Sequence, residues 1–469
     1  TRGTVQLLAY ISLAFAMFMF SPKTAFPGPW AIVPVGLTAL IIALGPTTPK
    51  WSPAQVLNWR PVQYTGAISY SIYLWHWPLI VLGPWLVLHE LTFWDDIVIL
   101  CLTVVLAALT KKYVEERGQR MKTLSGKARR SLLPALASVI LVAVISFSVF
   151  SWSKQLDASD ATKISAIQEQ AAQGGSCLGA SALVNATSCT VTYGPSVITP
   201  GNKADAPWFA TAKECSHKVM SGGKTPVEEC NFAQPQNPAA LGWVHNVMLI
   251  GDSHAEHWRA PIYQIARANG WHLVYTALGG CSTVEALVSE VAGQPTTPGQ
   301  HAACRQWREE VQRRVQIDKP DLILLSNFVA EETLDDGSGH DQSQQYSSAS
   351  VKTFSPWIAK GSRVIVIRDV PTAGTDLGPE CVSKHMKVER GCSAARAKVL
   401  LPDVVADWAQ SQQSPSIGVV DLTAQFCDST SCDGVIGSLP VFYDHNHLSI
   451  TYGLTLTMPL AAALSQTLR

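Results

Sequence analysis

Hydropathy divides this chain into two unlike parts, and that division limits its possible folds more than any other feature. Up to Phe150 the sequence runs in long apolar blocks; beyond it the composition is that of an ordinary soluble domain. Five stretches are long and apolar enough to span a bilayer: Val5 to Phe20, Trp30 to Leu44, Gly66 to Leu88, Ile97 to Thr110 and Leu132 to Phe150. Lipid offers no partner for backbone N–H and C=O groups, so such stretches must be helical. The second and fourth are short enough to be re-entrant instead. The fifth has 19 uncharged residues, nearly enough to cross the hydrocarbon core. The first resembles a signal peptide but lacks a small-residue cleavage site, and further spans follow it.

The loops set an orientation. KKYVEERGQRMKTLSGKARR, between the fourth and fifth spans, is dense in lysine and arginine, whereas HELTFWDD has neither. The positive-inside rule places the basic loop in the cytoplasm and everything after Phe150 outside. Cysteine usage agrees. Cys101 lies in a span and the other ten lie beyond it, an even number at short successive spacings that suits disulfides in an oxidising compartment. Sequential pairing is expected. A zinc site is the competing reading, but no Cys-x-x-Cys pair or Cys/His cluster of ligand spacing occurs, so no metal is assigned. Lys plus Arg and Asp plus Glu are 35 each, a balance that suggests no nucleic-acid partner.

The soluble part is organised around VHNVMLIGDSHAEHW, Val244 to Trp258. Val247 to Ile250 reads as a buried parallel strand, and a helix follows from about Glu256 to Ala268. A serine at such a junction combines a nucleophilic hydroxyl with a backbone N–H among the free donors of a helix start. Ser253 is therefore the candidate nucleophile, although a lone Gly-Asp-Ser is also an ordinary strand-ending turn. Near the far end stands Asp444-His445-Asn446-His447-Leu448-Ser449. A spacing of three lets Asp444 reach His447 and fix its tautomer.

GDSH together with DHNHLS resembles the first and last blocks of the SGNH (GDSL-like) hydrolase superfamily, over about the last half of the chain. The resemblance implies Ser253 as nucleophile, His447 as base and Asp444 as its orienter. It also implies a glycine and an asparagine in the oxyanion hole. Gly280, in ALGGCST, fits the glycine, with Gly279 as the alternative. Asn327 fits the asparagine, although Ser326-Asn327-Phe328 departs from the family's Gly-x-Asn-Asp and could be a simple strand-end cap.

In the third span, GAISYSIYLWHWP is similar to the SYxxYLxHxP motif of the acyltransferase-3 family of membrane O-acyltransferases, with Tyr70, Tyr73 and His76 at the motif positions. Pro78 should kink or restart that helix. His76 is either functional or an interfacial histidine bonded to water and headgroups. Some members of that family carry a C-terminal SGNH domain after an extra span, the order met here. Its essential histidine and arginine-rich motif belong to earlier spans, so the chain reads as the C-terminal part of a longer protein.

The expected architecture is a partial α-helical transmembrane bundle over 1–150, a cysteine-containing linker over 151–243, and a doubly wound α/β parallel-sheet domain over 244–469. Strands are expected at Val247–Ile250, Leu273–Thr276, Leu322–Leu325, Val364–Ile367 and Gly418–Leu422, and helices near 257–268, 303–316, 395–411 and 450–467. Ser449 should cap the last helix. Ala330 to Ser350 has no pattern and is expected to be a mobile loop. The two resemblances together imply O-acylation, often O-acetylation, of an extracytoplasmic polysaccharide, peptidoglycan or glycolipid. Acyl-CoA would be the donor on the cytoplasmic side, with no bound cofactor and the lipid bilayer as the other partner. A carbohydrate esterase with the same residues, or a non-catalytic carbohydrate-binding module, are the alternatives.

Overall fold

The computed structural model describes residues 2–20, 28–45, 57–87, 91–120, 128–174, 177–184, 187–219, 226–232 and 244–469. Leu88, residues 121–127 of the basic loop, and the end of the cysteine-containing segment (233–243) lie outside them. The chain forms two compact units, Thr1–Val144 and Ile145–Arg469.

Helices occupy all five apolar stretches: α1 (Arg2–Met19), α2 (Ile32–Leu44), α3 (Arg60–Val87), α4 (Phe93–Thr110) and α5 (Ala128–Ala172). Among the described residues two helical stretches, Phe93–Gly118 and Leu136–Ala172, are long and apolar enough to cross a membrane, fewer than the five expected. The fourth span is longer than its apolar run because a π-helical turn, Lys111–Glu115, carries the helix on. Thr92 starts it with a capping box, its side chain accepting from Asp95 N–H while Asp95 accepts from Thr92 N–H. α3 continues through Pro78 rather than restarting there. It packs on α4, where Trp75 Nε1 donates to Thr110 Oγ1 at 2.9 Å.

The second unit is built on one seven-stranded sheet, ordered β1-β2-β4-β3-β5-β6-β7. The strands are β1 (Cys215–Val219), β2 (Pro226–Asn231), β3 (Asn246–Gly251), β4 (His272–Ala277), β5 (Leu322–Ser326), β6 (Arg363–Ile367) and β7 (Ile417–Val420). The five from β3 onward are parallel, as their apolar runs predict. Alternate residues divide between two cores. Val247, Leu249, Leu322 and Leu324 face one side, and Met248, Ile250, Ile323 and Leu325 face the other. Helices α7 (Arg259–Asn269), α11 (Ile450–Thr455) and α12 (Thr457–Thr467) cover the first face; α8 (Pro298–Asp318), α9 (Gln342–Ile358) and α10 (Val404–Ser411) cover the second. Ser449 does cap the closing helix, accepting from Tyr452 N–H.

Two differences from the sequence reading have physical causes. The segment before Val244 is not only loops, because β1 and β2 extend the sheet antiparallel from β4. Cys215 and Cys230 stand opposite each other there and form a disulfide. The stretch Ala330–Ser350, expected to be a loop, contains a strand and the first half of α9. The inward face of that helix carries Gln345, Tyr346, Ala349, Ser350, Thr353 and Phe354. Polar side chains on the buried face hide the helical period. Gln345 offsets its own burial by donating to His340 O and accepting from Asp336 N–H. All five disulfides join successive cysteines: 177–189, 215–230, 281–304, 381–392 and 427–432.

Candidate active site

The strand order locates a crevice. From β3 the chain moves to β4 on one side, then returns to β5 on the other, so the carboxyl ends of β3 and β5 flank a topological switch point, where doubly wound sheets bind ligands. Gly251 and Ser326 are register partners at those ends. A Cβ on Gly251 would lie 1.9 Å from Ser326 O, so the close approach admits only glycine. Asp252 is fully buried and ties the two ends together. Its Oδ1 accepts from His254 N–H and its Oδ2 from Phe328 N–H, each at 2.7 Å. These two hydrogen bonds tie the start of the short helix α6 (Ser253–His257), whose first residue Ser253 is half-buried, to the backbone just after Asn327.

The loop after β4 approaches the same point, since Leu278 N–H donates to Gly251 O at 3.2 Å. Gly280 follows with φ 68°, in the left-handed region that favours glycine, and is less exposed than Gly279. Asn327 is half-buried, and its Nδ2 is buried with no hydrogen-bond partner.

Asp444 and His447 form a self-contained turn. Asp444 Oδ1 accepts from the backbone N–H of Asn446 (3.0 Å) and of His447 (2.8 Å), while His447 Nδ1 lies 2.8 Å from Asp444 Oδ2. Burial opposes the charge on Asp444, but these bonds and the imidazole outweigh it and hold the carboxyl below its ordinary range. The other ring nitrogen of His447, Nε2, is buried and has no hydrogen-bond partner. Ser253 Oγ therefore does not bond to it in this structure. The His447 ring nevertheless stands 5.3 Å, centroid to centroid, from that of His254, the residue after Ser253.

Tyr70, Tyr73 and His76 lie in the first unit on α3. Both tyrosines are exposed, and His76 Nδ1 bonds to the Tyr73 carbonyl of its own helix at 2.7 Å.

Three neighbours of the site escaped the sequence reading. His254 is fully buried, stacked on Phe328, and its Nδ1 lies 2.6 Å from Asp369 Oδ1. Burial disfavours the His254 cation, yet Asp369 and the more distant Asp252 and Asp444 raise its pKa overall. His257 is as deeply buried without a carboxylate. Burial and the two neighbouring imidazoles push its pKa well down, so it stays neutral. Trp208, from the segment before the sheet, stands edge-on to His447 at 6.0 Å. The signals available were the spacing of three between His254 and His257, and the position of Asp369 just past β6. Nothing local links Asp369 to a histidine 115 residues away. Among the described residues two clusters have metal-ligand proximity, Cys381–His385–Cys392 and Cys215–Glu228–Cys230. Each contains a disulfide, whose sulfurs are not thiolate donors.

A doubly wound α/β sheet with a serine, a buried amide and an Asp–His turn gathered about its switch point is the arrangement of hydrolase-like α/β domains. Residues 214–460 match the sequence model of the SGNH domain fused to AT3 domains, and the chain belongs to that family. Among curated proteins it is similar to "Putative peptidoglycan O-acetyltransferase YrhL" of Bacillus subtilis, with 28% identity over 117 residues, 25% of this chain and 18% of that protein. It is also similar to the peptidoglycan O-acetyltransferase OatA of Listeria monocytogenes, with 25% identity over 24% of this chain and 18% of that protein. A third similarity is to "Putative membrane-bound transacylase BcsY" of Komagataeibacter xylinus, with 29% identity over 30% of this chain and 36% of that one. The chain thus spans well under half the length of each of these relatives.

Proposed function

We propose that this chain is part of a membrane-bound O-acyltransferase, most simply an O-acetyltransferase, that modifies hydroxyls of an extracytoplasmic polysaccharide, peptidoglycan or glycolipid. His447 takes the proton of Ser253 as Oγ attacks the acyl donor and gives it to the donor's departing group, and Asp444 holds the imidazole in the required tautomer. The Ser253 N–H, the Gly280 N–H and the Asn327 amide face the developing oxyanion. A sugar hydroxyl, deprotonated in turn by His447, releases the acyl group from the serine. The first unit, multi-pass in the membrane, delivers the acyl group from cytoplasmic acyl-CoA, with the SGNH domain outside.

The observation that carries this reading is the orphaned Nε2 of His447. A buried ring nitrogen without a partner costs about 1–3 kcal/mol. An imidazole oriented by a carboxylate, with its other nitrogen left open beside a helix headed by serine, is what base catalysis requires. The relatives named as O-acetyltransferases support transfer over hydrolysis.

The test uses purified full chain, a chromogenic acetyl ester and sugar oligomers as acceptors. Transferase activity predicts a serine-bound acetyl on Ser253 by mass spectrometry, and product formation that rises with acceptor. Acetate release indifferent to every acceptor identifies a carbohydrate esterase instead. Turnover that survives Ser253→Ala removes the serine mechanism.

A further inference from the structure

A cavity is lined by the segment that follows Gly280, from Thr283 to Leu287, and by the helix α8. It encloses about 540 Å³, a size suited to a small ligand. Four cations line it, Arg305, Arg308, Arg313 and Lys352, against two carboxylates, Glu285 and Glu309. Two of those cations are neutralised, Arg313 by Glu310 and Lys352 by Glu285. Arg305 and Arg308 make no ion pair among the described residues. Arg308 is half-buried, and its Nη1 donates to Ser282 O at 3.3 Å. Burial works against its charge and holds its pKa below the ordinary value, although Glu285, Glu332 and Glu309 favour the cation. Thr283 supplies a second observation: it lines the cavity, is 2% exposed, and its Oγ1 is buried with no partner.

The cavity is also joined rigidly to the candidate active site. The disulfide Cys281–Cys304 ties the residue after Gly280 to the residue before Arg305. Trp307 Nε1, on the same helix α8, donates to Thr276 Oγ1 of β4 at 3.1 Å. The loop bearing Gly280 is thus cross-linked to the helix that carries the arginines.

We propose that this cavity is an acceptor subsite for an oxyanion substituent, carboxylate or phosphate, of the sugar, bound by Arg305 and Arg308 with Thr283 Oγ1 as a third hydrogen bond. Guanidinium groups match such anions in geometry as well as charge. The inference rests on the transfer reading for the word acceptor, and it defines the substrate class as an anionic glycan.

Calorimetric titration of the full chain with glucuronate, glucose 6-phosphate and glucose tests it. At least one anionic sugar should bind tenfold or more tightly than glucose, and should weaken with added salt. Arg305→Gln with Arg308→Gln should abolish the difference; Arg305→Gln alone, at an exposed position, should reduce it and serves if the double variant does not fold. The tighter of the two anionic sugars identifies the substituent. Equal binding of all three sugars, or a preference that survives the substitutions, overturns the proposal. Titrating Ser253→Ala protein separates the two ideas, because sugar binding there depends on the cavity alone while ester hydrolysis reports on the serine.

Discussion

His254 and His447 stand with ring centroids 5.3 Å apart, and each is paired through Nδ1 with its own aspartate, Asp369 at 2.6 Å and Asp444 at 2.8 Å. Both have a buried Nε2 without a partner. Asp369 offsets the cost of burial and favours the His254 cation. The pair from Ser253's own helix is as intimate as the one in the C-terminal turn.

Asp369→Asn should therefore change how stability depends on pH. With Asp369 present, the folded-state pKa of His254 lies above its ordinary 6.5. The pair's contribution is then full below 6.5 and is lost as pH rises through the folded value. In the variant, burial dominates and protonation opposes folding. Thermal unfolding from about pH 8 to about pH 6 should show the gap between wild type and variant widening toward acid. A constant gap would remove the charged pair from the account.

Asp444→Asn should leave the turn folded, because an amide oxygen still accepts from Asn446 and His447 N–H. It should lower kcat for an acetyl ester by on the order of 10³-fold or more, with KM little changed, since the imidazole loses its orienting acceptor. A fall in affinity alone would place Asp444 outside the proton-transfer machinery.

Gly251→Ala and Gly280→Ala should behave differently. At Gly251 the new Cβ meets a backbone carbonyl at 1.9 Å, so β3 and β5 must separate. A loss of about 2–3 kcal/mol or more in urea unfolding is expected, with loss of activity. At Gly280 no atom lies within 4 Å, and only the positive φ of 68° is penalised, at about 1 kcal/mol. Equal costs at the two positions would contradict the close strand approach.

Asp205 is buried beneath the closing helix, accepting from Thr451 N–H and Oγ1 at 2.7 and 2.6 Å. Burial raises its pKa from 3.8 to about 6 despite those bonds. A raised folded value means stability is highest below 3.8 and falls as pH climbs through about 6. Ionising it in place costs about 3 kcal/mol. Asp205→Asn, which keeps the acceptor, should match wild type near pH 4 and exceed it above pH 6 in denaturant unfolding.

What could be read directly from the sequence was local. Four-residue apolar runs such as Val247–Ile250 and Leu322–Leu325 specify buried parallel strands, because every residue in them must avoid water on both faces. Asp444 and His447 meet within one turn, and Ser449 caps the helix it precedes, because three residues of backbone suffice for each contact. The disulfides pair with their nearest neighbours for the same reason of short reach. Tertiary structure alone decided the rest. The Asp369 partner of His254 comes from a strand end 115 residues away, and α9 hides behind a buried face that includes Gln345, Ser350 and Thr353, polar residues that mask the helical period. Arg305 and Arg308 look like ordinary charges on a helix surface until the fold sets them in one cavity with Thr283. Contacts of that range have no period or spacing in the chain, since they depend on which strand ends the sheet brings side by side.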